Sequence, residues 1–207
     1  MMNNPWKNIQ LDDYESHMKL DNIMQLQTMN EMMERQLYGH SVSSVMILGV
    51  AGGNGLNHIK PESFENVYGV DINGDYLKTC EKRYKSLKGI FQPIEADLTN
   101  PDLILPEADL VIANLLIEYI GYDNFRKVIQ KIRPGYASCI IQINTGENFV
   151  SDSPYLHAFD CLEELHHQMS EKELTRSMET IGYGFSCSEE KVLPNGKKLV
   201  CLDYELN

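Results

Sequence analysis

The chain of 207 residues contains no apolar run long enough to span a bilayer. Its opening, Met1-Met2-Asn3-Asn4-Pro5, lacks a basic stretch followed by an apolar one, so neither a signal peptide nor a membrane anchor is expected. Positive charge is scarce: 18 Lys and Arg stand against 30 Asp and Glu, a formal net charge of −12. Nucleic-acid binding draws most of its affinity from Lys and Arg on phosphates, so that balance argues against a polyanionic partner. Cysteine is sparse and odd in number: Cys80, Cys139, Cys161, Cys187 and Cys201, with no Cys-x-x-Cys spacing. That pattern excludes a disulfide framework and a zinc site, and it points to reduced, mostly buried thiols in a cytoplasmic protein with no metal site. There are no repeats and no low-complexity segments.

Glycine, by contrast, is concentrated where it carries meaning. Met46-Ile47-Leu48-Gly49-Val50-Ala51-Gly52-Gly53-Asn54-Gly55 is an apolar run that breaks into glycines, and Val67-Tyr68-Gly69-Val70-Asp71-Ile72 is a second apolar run that reaches an acid. A buried parallel strand, a tight turn, a helix start and then a strand ending on a carboxylate is a layout for holding a nucleoside. Asp71 lies about twenty residues beyond Gly49, the separation at which such an acid meets the ribose hydroxyls.

Around these runs the pattern alternates. Strands are expected at 44–48, 66–70, 90–95, 109–113 and 137–143, with helices at 55–59, 74–87 and 122–133 between them. The strands are short and apolar without alternation, as in a parallel sheet covered on both faces. Before them, Tyr14, Met18, Leu26, Met29, Met33 and Leu37 form one stripe that predicts a single helix over 11–38, ended by Gly39. Seven of the ten methionines precede residue 34, and Met-rich faces adapt their shape, so this segment is read as a helical cap (residues 1–40) on a main domain (41–207). After the fifth strand the stretch 144–168 is irregular, polar and aromatic. Ser170-Glu171-Lys172-Glu173 reads as a capping box opening a helix. Asn195-Gly196 predicts a hairpin that pairs position 187 with 204, leaving Cys187 and Cys201 not directly opposite.

Taken together, the ordered set resembles the class I S-adenosylmethionine-dependent methyltransferases over roughly residues 42–205. It comprises the glycine loop, Asp71 after the second strand, Asp97 after the third, Asn114 after the fourth, Arg133-Pro134-Gly135 before the fifth, and the terminal hairpin. The resemblance implies a doubly wound, mostly parallel, seven-stranded Rossmann-like α/β sheet ending in an antiparallel hairpin, with S-adenosyl-L-methionine as cofactor. It places Gly49, Ala51 and Gly53 at the amino-acid half of the cofactor, Asp71 on the ribose and Ile72 on the adenine face. It places Asp97 and Leu98 at the adenine edge and Asn114 at the methionine moiety. The acid often found two residues before the first glycine is here Ile47, and the second glycine is Ala51; Tyr14 or His17 is the expected substitute contact.

Methyl transfer from a sulfonium is an in-line displacement that depends mainly on alignment. A hydroxyl acceptor benefits from a base, and Glu118, Tyr119 and His157 are the catalytic candidates, with Tyr155, His166 and His167 nearby in sequence. The expected acceptor is a small molecule, in a pocket lined by Tyr119, Tyr155 and His157 under the N-terminal helix, with no nucleic acid or membrane partner and with a homodimer left open. Two other readings remain. One is a catalytically inactive cofactor-binding or regulatory protein of the same fold. The other is a nicotinamide-dependent oxidoreductase, disfavoured because the loop is not Gly-x-Gly-x-x-Gly in register.

Overall fold

The computed structural model describes residues 4–144 and 150–207. Helix α1 spans Leu11–Lys19 and α2 spans Gln25–Tyr38. The main domain follows as β1 (Ser44–Leu48), β2 (Asn66–Asp71), α3 (Gly74–Arg83), β3 (Phe91–Glu95), β4 (Leu110–Asn114), α4 (Ile117–Ile132), β5 (Tyr136–Ile143), α5 (Glu171–Glu179), β6 (Tyr183–Val192) and β7 (Lys198–Leu206). The seven strands form one sheet in the order β3-β2-β1-β4-β5-β7-β6. The first five are parallel, and β7 inserts antiparallel between β5 and β6.

Both faces of the sheet are buried, which explains the unbroken apolar strands. On one face Met46, Leu48, Val111, Ala113, Cys139 and Ile141 pack against Phe125, Val128 and Ile129 of α4 and Leu174 and Met178 of α5. On the other, Val45, Ile47, Val67, Leu110 and Ile112 meet Met33 and Leu37 of α2 and Leu77 and Cys80 of α3. Ile47, next to last in β1, is therefore a core residue whose side chain packs into this second face. No helix among the described residues is long and apolar enough to cross a membrane.

The N-terminal segment departs from the expected single helix. The chain breaks at 20–24, where Leu20 is extended and Met24 adopts a left-handed φ of 56°. The break separates two roles. Helix α2 is part of the core: Met32 and Leu37 are fully buried, Arg35 pairs with Glu189 and Asp203, and Gln36 bonds Asn114 and Ser138. Helix α1 instead crosses the end of the sheet at the glycine loop, held by a salt bridge from Glu15 to Arg83 of α3.

Three other local expectations are corrected. Helix α4 starts at Ile117 rather than 122, because its first turn is offset from the rest by a kink at Gly121 (φ 74°, ψ 161°). Ser170 makes no side-chain cap on α5; its backbone N–H donates to the Tyr122 hydroxyl at 2.8 Å instead. In the hairpin, Leu193 N–H donates to the Lys197 carbonyl, so three residues rather than two form the turn. That shift pairs Cys187 with Asp203, not Tyr204, and an irregularity between Cys187 and Phe185 then puts Phe185 opposite Tyr204. Cys187 and Cys201 are still not opposite one another, and both remain free thiols.

Candidate functional site

The glycine loop leaves the carboxyl end of β1 and turns beneath α1. Gly49 has φ +71°, where an L side chain is strained, and an added Cβ would come within 3.2 Å of Leu116. Ala51 takes the same left-handed region, with φ 46°, rather than the negative φ that alanine prefers. Its conformation is held by Asp71: the Ala51 N–H donates to Asp71 Oδ2 at 2.9 Å, and the Asn73 N–H donates to Oδ1 at 2.9 Å. Asp71 is only 8 % exposed. Burial pushes its carboxyl above the ordinary range, and the N–H donors of Asn73, Ala51 and Ile72 oppose that rise. A second left-handed residue, Leu115 (φ 51°), closes β4 directly across the cleft. Strained backbone on both sides of one cleft marks a functional wall.

The cleft that results holds about 670 Å³ of space, its open mouth included. Nine residues singled out from the sequence line it: Tyr14, Gly49, Ala51, Asp71, Ile72, Asp97, Leu98, Asn114 and Tyr119. The charged and amide groups among them are already oriented. Asp97 Oδ1 accepts from the Thr99 N–H and hydroxyl. Asn114 turns its amide inward to a reciprocal pair with Gln36, at 2.9 and 3.0 Å. Gly53 is not in the wall. Its φ is +89°, and an added Cβ would sit 2.5 Å from the Tyr84 ring and 2.7 Å from Cys80 Sγ. Its task is to let the loop pack on α3. Gly53→Ala is therefore expected to destabilise the fold by about 3 kcal/mol, from the left-handed strain and the overpacking together. Chemical denaturation checks this; a loss below about 0.5 kcal/mol would be no more than an ordinary surface substitution gives.

A second cavity of about 530 Å³, again with its mouth included, adjoins the first. The two share Trp6, Tyr14, Leu115 and Tyr119. The Trp6 ring meets Tyr14 and Tyr119 edge-on at 5.7 and 4.9 Å. The segment carrying Trp6 is tied down from below: Asn73 donates to the Trp6 carbonyl and the Tyr76 hydroxyl donates to the Ile9 carbonyl. The remaining wall contains His17, Met18, Gln25, Glu118, Gln142, Val150, Phe159 and His166. Trp6 and Gln142 gave no sequence signal, although Trp6 is the single tryptophan of the chain.

Glu118 is the unusual group here. The early start of α4 turns it inward, where it is 3 % exposed, rather than leaving it on a solvated first turn. Its Oε1 accepts the Gln142 N–H at 2.8 Å, and its Oε2 has no partner among the described residues. Burial pushes its carboxyl up to about 7, against the opposing pull of that N–H donor and its own. Across the cavity burial, with Lys197 behind it, lowers the imidazoles of His17 and His166 to about 4, so both are neutral at pH 7. His157 lies elsewhere: its side chain is 90 % exposed and bonded to Asp160. Tyr155 packs beside Phe159 and Leu162 without reaching the cavity wall. His167 donates its N–H to the Glu118 carbonyl and sits on an outer surface. Of the irregular stretch 144–168, residues 145–149 lie outside the described residues.

With this geometry in view, the comparisons can be placed. Residues 47–134 match a family described as a methyltransferase domain. No curated protein sequence matches the chain. Among solved structures, the N-methyltransferase NodS from Bradyrhizobium japonicum WM9, in complex with S-adenosyl-L-homocysteine, superposes with a TM-score of 0.67 over 99 % of this chain and 99 % of that one, at 12 % identity. Magnesium protoporphyrin IX methyltransferase from Synechocystis PCC 6803, with bound S-adenosylmethionine, gives 0.61 over 98 % and 90 %, at 11 % identity. The [4+2]-cyclase SpnF gives 0.65 over 87 % and 82 %, at 8 % identity. The family match falls on the glycine loop, Asp71, Asp97 and Asn114, and the superpositions carry the strand order and the terminal hairpin. Residues 47–134 are thus similar to the methyltransferase-domain family, and the chain as a whole has the fold of the class I S-adenosylmethionine-dependent methyltransferases.

Proposed function

We propose that the chain transfers a methyl group from S-adenosylmethionine to a small-molecule acceptor. The observation that carries this reading is the pairing of cavities: a cleft with a buried acid at the end of β2 adjoins, across the shared Trp6–Tyr14–Leu115–Tyr119 wall, an aromatic chamber. The first has the donors and acceptors a nucleoside needs. Asp71 offers a carboxylate for a ribose diol, Ile72 and Leu98 offer aliphatic faces for a purine, and Asp97 offers an acceptor for its exocyclic amine. Bound there, the cofactor supplies a methyl group on a sulfonium, already activated for displacement. The chain's part is to align the acceptor beyond the shared wall and to exclude water.

The small-molecule reading is supported by the size of the chamber, about 530 Å³ with its mouth included, and by the net charge of −12, which disfavours polyphosphate partners. The fold does not decide the activity alone, as the cyclase neighbour illustrates. A screen with methyl-labelled cofactor against metabolite, peptide and RNA fractions tests the proposal. Label is expected in the metabolite fraction. Label confined to the macromolecular fractions would overturn the acceptor class, and none anywhere would favour a binding protein.

The cap divides accordingly. Trp6 and Tyr14 wall both cavities, so bound ligand would rest against the segment through α1, whereas α2 is fixed in the core. S-adenosylhomocysteine is expected to slow amide exchange in α1 by roughly tenfold or more and to leave α2 unchanged. Equal exchange in α1 with and without ligand would show a static helix.

A further inference from the structure

The second cavity also carries information about the acceptor. We propose that it takes a small primary or secondary amine, entering as its ammonium ion, with the Glu118 carboxylate and the rings of Trp6, Tyr14, Tyr119 and Phe159 as its receptor. This rests on reading the adjoining cleft as the cofactor site.

Four observations lead there. First, Glu118 is buried in the cavity wall with one oxygen committed to the Gln142 N–H and the other unpartnered among the described residues. A buried unsatisfied carboxylate oxygen is costly, and native proteins keep one where a ligand or a reaction uses it. Second, among the described residues no cationic side chain is seen to act on it. The ionisable groups around Glu118 are the phenols of Tyr14, Tyr119 and Tyr122 and the Cys139 thiol, each of them pushed up by burial and so neutral at pH 7. The imidazoles across the cavity are neutral as well. A cationic ligand would therefore supply the compensating charge to the ionised carboxylate. Third, aromatic rings form much of the remaining wall, and ring faces attract ammonium ions in desolvated sites. Fourth, a net charge of −12 raises the local concentration of cations. An alcohol of the same shape would bring one O–H to Glu118 and leave its charge uncompensated.

The chemistry balances. An ammonium ion gives one proton to Glu118 Oε2, leaving a neutral amine and a carboxylic acid. The amine lone pair forms the new N–CH3 bond as the S–CH3 bond of the sulfonium breaks, and that bonding pair stays on sulfur as a thioether. The product leaves as the methylated ammonium, and the proton on Glu118 passes to solvent. A carboxyl lifted to about 7 is placed to take a proton at neutral pH, better than an ordinary one.

The test is calorimetry on protein saturated with S-adenosylhomocysteine, comparing matched amines and alcohols: 2-phenylethylamine with 2-phenylethanol, and tyramine with tyrosol. At least one amine is expected to bind ten times or more tighter than its alcohol. Glu118→Gln should abolish that gap by weakening amine binding, with S-adenosylhomocysteine binding retained, and Glu118→Asp should retain part of it. No amine preference in either pair, or a preference that survives Glu118→Gln in folded protein, would overturn the proposal. Failure of S-adenosylhomocysteine to bind would refute the cofactor reading instead, and the same amine and alcohol pairs titrated into the protein alone would still test the receptor.

Discussion

Asp71→Ala is expected to weaken S-adenosylhomocysteine binding by about 2–3 kcal/mol, roughly 30- to 150-fold. The reason is local. A carboxylate 8 % exposed at the end of β2 would exchange charge-assisted hydrogen bonds with a ribose diol in a site partly shielded from water. The same carboxylate already accepts from the N–H groups of Ala51 and Asn73. Removing it therefore also frees the left-handed Ala51 turn and the entry to α3, and some fold stability should go with it. Asp71→Asn keeps one carbonyl acceptor and should fall between the two. Titration calorimetry reads all three proteins; unchanged affinity in a folded Asp71→Ala protein would remove Asp71 from the site.

The second large effect concerns pH and stability. Burial holds the Glu118 carboxyl at about 7 in the folded chain, against 4.5 when exposed. The sign follows from proton binding. Below about 4.5 both states are protonated and Glu118 contributes no pH dependence. Between there and about 7 the unfolded chain has released a proton that the folded chain still holds, so stability falls as pH rises. The whole interval amounts to roughly 3 kcal/mol. Glu118→Gln removes this slope, so the variant should gain on the parent by about that amount between pH 4.5 and pH 8. His17 and His166 titrate in the opposite sense, their imidazoles being lowered to about 4, but both proteins contain them and the difference cancels. Denaturant titrations across this pH range check it. Parallel stability curves for the two proteins would mean that Glu118 is ordinarily hydrated. Activity is expected to move the other way, because a carboxylate held against its own hydration is what a base in this position requires.

These effects bear on how much the sequence alone could convey. The strands and the cleft were legible because a parallel sheet covered on both faces demands unbroken apolar runs, and because the turn at Gly49 and the acid at Asp71 are chemically specific. The break at 20–24 was not, since the Met and Leu stripe continues across it and no proline or glycine interrupts the pattern. The hairpin register depended on whether two or three residues close the turn, and Asn195-Gly196 serves either. Glu118 was legible as a candidate base, but its burial was not: Gly121 separates its turn from the rest of α4, so the periodic part of the helix begins after it. The chamber wall was the least legible. Trp6, Gln142, Phe159 and His166 come from segments far apart in the chain and meet only because α1 and the stretch after β5 fold over the same end of the sheet. Sequence adjacency therefore gave no means of choosing between His157, which faces solvent, and His166, which faces the cavity.

The most direct measurement of the central claim is a crystal structure of the chain with S-adenosylhomocysteine. The ribose diol is expected on the Asp71 carboxylate, the adenine between Ile72 and Leu98 with its amine toward Asp97, and the sulfur at the wall formed by Tyr14, Leu115 and Tyr119, facing the chamber that holds Glu118. Ligand density away from Asp71, or an empty cleft at saturating ligand, would contradict it.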